Sequence, residues 1–259
     1  PSRVMNVVLH PTPHSILFWD MVVLSGYLLI NLVTGWVVLS CTKKDIPPPA
    51  WMKPIIYLSI PWAISIHTVT AFIYAGLPGR SFWLTAIMAP RFLASAFASG
   101  PALLVLLCLV LRRWGGFDAG REPLQALARI IAYALTASLF FVLMELFTAF
   151  YSGIPGHAEP FRYLYAGLEG HTRLVPWMWT STVLAALALG ILIVPALRRN
   201  EARLALACIA VFASLWIEKG LGLVVTGFIP SPLGRITEYA PTGPEVAITL
   251  GVWALGFVI

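Results

Sequence analysis

The chain reads as an all-α, polytopic transmembrane helix bundle with at least seven spans. Composition is the first observation behind this. Of 259 residues, 59% are hydrophobic and only 11% charged, with a mean hydropathy of +0.85, whereas a soluble domain carries about 25% charged residues. The second is length: a bilayer takes about 20 apolar residues per helix, and such runs recur at 16–41, 53–77, 82–111, 125–151, 176–197, 203–229 and 244–259. The third is continuity, since no hinge-like linker, low-complexity tract or clear internal repeat divides them. One helical domain over 1–259 is the simplest description. The sequence opens without Met and stops inside the apolar run VWALGFVI, so further helices are expected beyond either end. No apolar signal-peptide core occurs in the first fifteen residues.

The spans orient one another through the basic residues between them. The connections 41–53, 111–125 and 197–203, with their borders, hold Lys43, Lys44, Lys53, Arg112, Arg113, Arg121, Arg129, Arg198, Arg199 and Arg203. The opposite side holds Arg3, Arg80, Arg162, Arg173 and Arg235. Ten against five places the first set in the cytoplasm. The net charge of +6 is therefore read through topology rather than as a nucleic-acid footprint. The longer loops, 152–175 and 230–243, fall outside and are rich in Gly, Pro and aromatics, as ordered binding loops are.

Within the span 82–111, Ala94, Ala98 and Ala102 recur every four residues, a pattern that lets helices approach closely. Pro61, Pro90 and Pro101 are expected to interrupt helices, each freeing a carbonyl one turn earlier. Cys41, Cys108 and Cys208 stand far apart, with no CxxC or CxxCH spacing. They read as small apolar packers, and the chain is expected to hold no iron–sulfur cluster or attached haem of its own.

Charged side chains inside a bilayer cost several kcal/mol, so each is a functional candidate by default. The set is Asp20, His67, Arg91, Glu145, Glu218 and Lys219. At 1.5 Å per residue, Asp20 and Glu145 lie roughly 6 and 9 Å below the outer face, and Arg91, His67 and Glu218 roughly 14–16 Å. All occupy the outer half, although they come from five spans. Each also has a plainer reading. Asp20 near a helix start favours the dipole, and Arg91 neutralises Glu145 or Glu218. His67, in PWAISIHTVTAFIYAG, is a satisfied core residue. Lys219 directly follows Glu218, about 100° around a helix, so one of the two is expected to snorkel or pair elsewhere. As a group, an imidazole and carboxylates at one depth can exchange protons near neutral pH and hydrogen-bond a quinone oxygen. A haem b between helices would need two His ligands, and only one His lies within a span.

Four ordered segments carry a family resemblance: FWDMVVLSGYLL (18–29), SIHTVTAFIYAGLPGRSFWLTAIMAPRFLASAFASG (65–100), MELFTAFYSG (144–153) and WIEKGLGLVVTGFIPSPLGRITEYAPTGPE (216–245). Through most of its length the chain resembles the NrfD/PsrC family of membrane subunits, which includes that of polysulfide reductase. The last segment is most similar to DsrP, of the Dsr-type complexes of sulfur metabolism. The resemblance implies a bundle that binds quinone, either menaquinone or ubiquinone, in a bacterial or archaeal cytoplasmic membrane. It implies electron exchange with a periplasmic iron–sulfur partner on loops 152–175 and 230–243, alongside other membrane and cytochrome subunits.

By the same resemblance, His67 matches the family's V-H-S-type histidine, Asp20 its W-D, Glu145 the glutamate before Y-S-G, and Glu218 the W-x-E segment. Ile73 stands where related proteins carry an aspartate, leaving Tyr74 or Glu145 to substitute. The expected roles are His67 on the quinone oxygen, with Tyr74, Arg91 and Glu218 around the ring. Asp20, Glu145 and Glu218 are expected to relay protons. The alternatives are a proton-translocating subunit or an anchor without a quinone site of its own. A retinal protein built on Lys219 is a remote further reading.

Overall fold

In the computed structural model, residues 5–231, 233–238 and 240–258 are described; Arg3 and the last residue of the run 244–259 lie outside them. The long helices follow the apolar runs. They are α2 (Ile16–Lys43), α3 (Met52–Ala75), α4 (Met88–Trp114), α5 (Arg121–Tyr151), α7 (Val175–Ile193) and α9 (Glu201–Ile217). The last of these continues as a π-helical segment, Glu218–Val225. Shorter pieces are α1 (Asn6–Leu9), α6 (Pro155–Tyr165), α8 (Pro195–Arg198) and α10 (Gly243–Val258).

Six helices among the described residues are long and apolar enough to cross a membrane, α9 counting with its π segment. The seventh expected span is helical as α10, but over 16 described residues.

Helices α4, α5, α7 and α9 close into a four-helix ring, and α2 and α3 add on at the α4 edge. The half of the ring nearer the connections 115–120 and 194–200 is packed with small and aliphatic side chains. Ala98, Ala102, Ala128, Ala188, Ala207 and Cys208 are all fully buried there, with Val105, Ile131, Leu135 and Leu204 between them. Small residues permit close backbone approach where lipid supplies no hydrophobic drive between helices. Two of the three alanines spaced by four, Ala98 and Ala102, thus sit at the helix contacts. Cys41 and Cys208 are buried and Cys108 half-buried, all as free thiols.

The outer half is packed with aromatics: Phe82, Trp83, Phe161 and Tyr163, with Met88, Met178 and Leu223. Its organiser is Trp83. The expected span 82–111 begins in fact at Met88, because LPGRSFWLTAI forms a run of turns ahead of α4. Those turns drop the Trp83 indole into the bundle, where it is 1% exposed and donates from Nε1 to the Leu223 carbonyl at 2.8 Å. The same correction moves Pro90 into the first turn of α4, where a missing N–H costs no helical bond. Pro61 and Pro101 do lie inside helices.

Outside the membrane-spanning helices, the expected loop 152–175 contains a short helix, α6, followed by turns. It is tied to the segment after the π turn through Glu238. Oε1 accepts from the Arg173 amide at 3.1 Å and from the Tyr163 hydroxyl at 3.4 Å. Oε2 faces Arg173 Nε at 3.3 Å and His171 Nδ1 at 3.5 Å. Burial, then the neighbouring Glu238 carboxylate, pushes the Tyr163 hydroxyl up to about 12, so it stays a donor. For Glu238, burial opposes ionisation, but the Arg173 amide and the His171 and Arg173 side chains outweigh it and hold the carboxyl below the usual range.

Two predictions arise from this packing. A Cβ on Gly227 would fall inside the Trp83 ring, and that ring is buried with its N–H engaged. Gly227→Ala should therefore lower thermal stability by about 1–3 kcal/mol, read as the melting shift of the detergent-solubilised protein. Glu238's depressed folded value means its stabilisation is complete above the ordinary glutamate range and lost as pH falls through the lower folded value. The protection factors of the amides at 171–174, measured against intrinsic exchange at each pH, should be high at neutral pH and fall on acidification below about 4, and Glu238→Gln should lower them at neutral pH. Neutral-pH protection factors unchanged in the variant would remove Glu238 from that role.

Candidate functional site

Arg91 lies one turn into α4, between the inner and outer packing zones. Its Nη1 donates to Glu145 Oε2 of α5 and its Nη2 to Glu218 Oε1 at the start of the π segment. Arg91 is 4% exposed, and each carboxylate 8%. A guanidinium presents several N–H donors in a planar fork, so one residue can hold two carboxylates from different helices. The plain reading of Arg91 as a structural neutraliser is thereby met for both carboxylates at once.

Lys219 completes the cluster. Its Nζ stands 3.5 Å from Glu218 Oε2 and 4.9 Å above the Phe92 ring centre. The expectation that Glu218 and Lys219 would part company is corrected here. Their backbone positions diverge, but the four-carbon lysine stem reaches back to its neighbour. Two cations and two anions make the cluster neutral. It is not saturated: Arg91 Nε, Glu145 Oε1, Glu218 Oε2 and Lys219 Nζ are buried and make no hydrogen bond.

Cavities open on three sides of this cluster. One of about 270 Å³ is lined by Lys219 and His67, with Phe92, Ser95, Ser99 and Trp216. A second, of about 590 Å³, lies between α5, α6, α7 and α9, with Glu218 in its wall. The third, of about 340 Å³, has Glu145 in its wall together with His157, Ser81 and Thr85. His67 also lines a further cavity of about 420 Å³ on its α2 side, with Tyr27, Ser59 and Phe97.

The candidates read from the sequence do not all converge. Arg91, Glu145, Glu218 and Lys219 share one cluster, and His67 faces Lys219 across the smallest cavity. Asp20 stands apart: its Oδ1 accepts from Thr70 Oγ1 at 3.2 Å, joining α2 to α3. Among the described residues no ion pair links it to the others. Tyr74 packs edge-on against Trp83 at 4.9 Å and lies tilted to Phe92 at 6.0 Å, in the outer aromatic zone. His157 was not a sequence candidate, because GHAEP lies in a connection where histidine is unremarkable. Among the described residues no three His, Cys, Asp or Glu side chains group as a metal site would need.

Removing Arg91 would strand two buried carboxylates. Arg91→Leu should destabilise the protein by about 3–5 kcal/mol, and Arg91→Lys should recover only part of that because an ammonium lacks the fork. Melting curves of both variants would show it; a Leu variant as stable as the parent would mean that the cluster is not structural.

The profile of the family described as "Polysulphide reductase, NrfD" matches residues 1–228. The chain is also 26% identical, over its whole length and 67% of the relative, to a Halobacterium salinarum protein whose name describes it as a "Putative dimethyl sulfoxide reductase membrane subunit". A family match over most of the chain, joined to a bundle of six membrane-crossing helices, identifies the protein as a multi-pass membrane member of the NrfD polysulfide reductase family.

Proposed function

We propose that this chain is the quinone-reactive membrane subunit of a multi-subunit respiratory reductase. It would pass electrons between the quinone pool and an iron–sulfur partner held at the outer loops. The observation that supports this most directly is the cavity shared by His67 and Lys219. Its wall supplies hydrogen-bond donors, a half-buried imidazole and an ammonium with no hydrogen bond of its own, and the rest is aromatic and small. That combination fits the carbonyl of a menaquinone or ubiquinone head group. The bound quinone would supply two-electron, two-proton chemistry.

The chain's own part is to bind, orient and hold protons. His67 and Lys219 would fix the oxygen. Glu218, beside Lys219, balances the ammonium. Arg91 couples Glu218 to Glu145, and Glu145 leads to the His157 cavity on the outer side. In this reading Glu145 rather than Asp20 continues the proton path, and Asp20 with Thr70 sets the α2–α3 contact. Tyr74 supports the wall through Phe92. The relative's name as a reductase membrane subunit favours the multi-subunit setting. The likeness carried by 216–245 favours sulfur metabolism, and the outer segments tied by Glu238 offer a preformed face to the iron–sulfur partner.

Titrating a quinone-site inhibitor against the purified complex tests the assignment. Binding should be saturable in the wild type and at least about tenfold weaker in His67→Ala, a loss of roughly 1.4 kcal/mol. Equal affinity in both would remove His67 from the site and leave the chain as a relay or an anchor.

A further inference from the structure

The cavity of about 590 Å³ between α5, α6, α7 and α9 is not used by the site just described. It lies across the ion cluster from His67 and opens on the outer surface of the helix bundle. Leu143, Phe150 and Trp179 on its rim are 63%, 49% and 52% exposed. Its wall is mixed. Leu135, Leu139 and Ala185 supply aliphatic surface, and Glu218, Tyr165 and Thr182 supply polar groups. Ser181 and Ser214 in the same wall are already paired with each other at 2.8 Å, so they offer little to a ligand.

The distinguishing group is Glu218. It is nine-tenths buried, and its Oε2 accepts no hydrogen bond, the nearest cation being Lys219 Nζ at 3.5 Å. A buried carboxylate oxygen in that state calls for a donor. The His67 cavity, by contrast, presents donors. One side of the cluster thus suits a carbonyl and the other a hydroxyl.

We propose that this lipid-facing cavity is a second isoprenoid-ligand site that takes the hydroxylated, quinol form, its ring hydroxyl donating to Glu218 and its tail leaving between α5 and α7. The proposal rests on the quinone reading above for its ligand class and shares Glu218 with it, but its walls come from α5, α6, α7 and α9 and include neither His67 nor Lys219. A phospholipid is the weaker occupant. Arg162 at the outer rim could meet a phosphate, yet an acyl chain below it would leave the Glu218 oxygen without a donor.

The test uses the purified complex in phospholipid nanodiscs and a naphthoquinone carrying a diazirine on its isoprenoid tail, irradiated either oxidised or reduced. The reduced probe should label peptides covering 139–150 and 179–186. Ala186→Trp, which narrows the mouth from the lipid side, should lower that labelling at least tenfold while labelling near His67 persists. His67→Ala should do the reverse, so failure of one site is read separately from failure of the other. Leu143→Trp serves as the second blocking variant if the first does not assemble. Labelling of 139–150 and 179–186 that ignores the probe's redox state, or that a diacyl photoprobe reproduces equally, would make this a lipid-tail groove and overturn the proposal. So would the absence of labelling there.

Discussion

An arginine inside an apolar bundle must be answered by its neighbours, and the rest of this structure is arranged around the answer. Taking ions out of water costs several kcal/mol each, and only close, well-aligned partners return it. Arg91 finds them on two other helices. Satisfying Glu145 and Glu218 together sets the rotation of α4, α5 and α9 about their axes. The cluster also sits at the change in packing style. Below it the helices meet through alanines; above it they are held apart by Trp83, Phe161 and Met178. Wide aromatic packing outside and narrow packing inside leave room at the level where the ions lie, so cavities collect there.

Each cavity then inherits a different member of one neutral cluster: Lys219, Glu218 or Glu145. Charges this close in a low-dielectric interior interact strongly. A hydrogen bond or proton gained in one cavity therefore changes the balance felt in the other two. That coupling needs no moving part, only the shared guanidinium, and it would give the proposed quinone chemistry a physical basis for linking ligand binding to proton position.

The membrane-spanning core was legible because hydropathy and a 1.5 Å rise determine where a span can lie. The same arithmetic put Arg91, Glu145 and Glu218 in one half of the bilayer, and the possibility that Arg91 pairs with a carboxylate followed from that. Azimuth was not legible. Depth alone could not separate Asp20, which turns to Thr70 between α2 and α3, from Glu145, which turns inward. The turn run 77–87 was hidden because FWLTAI is as apolar as a helix; its Trp83 is buried by tertiary packing against Gly227 and Leu223, which no local pattern reveals. The Glu238 tie was equally invisible, since its partners lie more than sixty residues away.

The π-helical segment shows how a local irregularity serves the site. Glu218–Val225 contains Gly220 and Gly222, and Gly222 lies against Met178 where a side chain would collide. π turns are rare and concentrate at functional positions. Here the segment begins at Glu218 itself. The Leu223 carbonyl within it takes the Trp83 indole, so the outer aromatic plug and the ion cluster are braced by the same eight residues. Two adjacent residues at its start also face different cavities, Glu218 toward α5 and α7 and Lys219 toward α3 and α4. The sequence spacing that first argued against a Glu218–Lys219 pair is thus what separates the acceptor-bearing cavity from the donor-bearing one. The flexible lysine stem lets the two charges remain in contact across that divide.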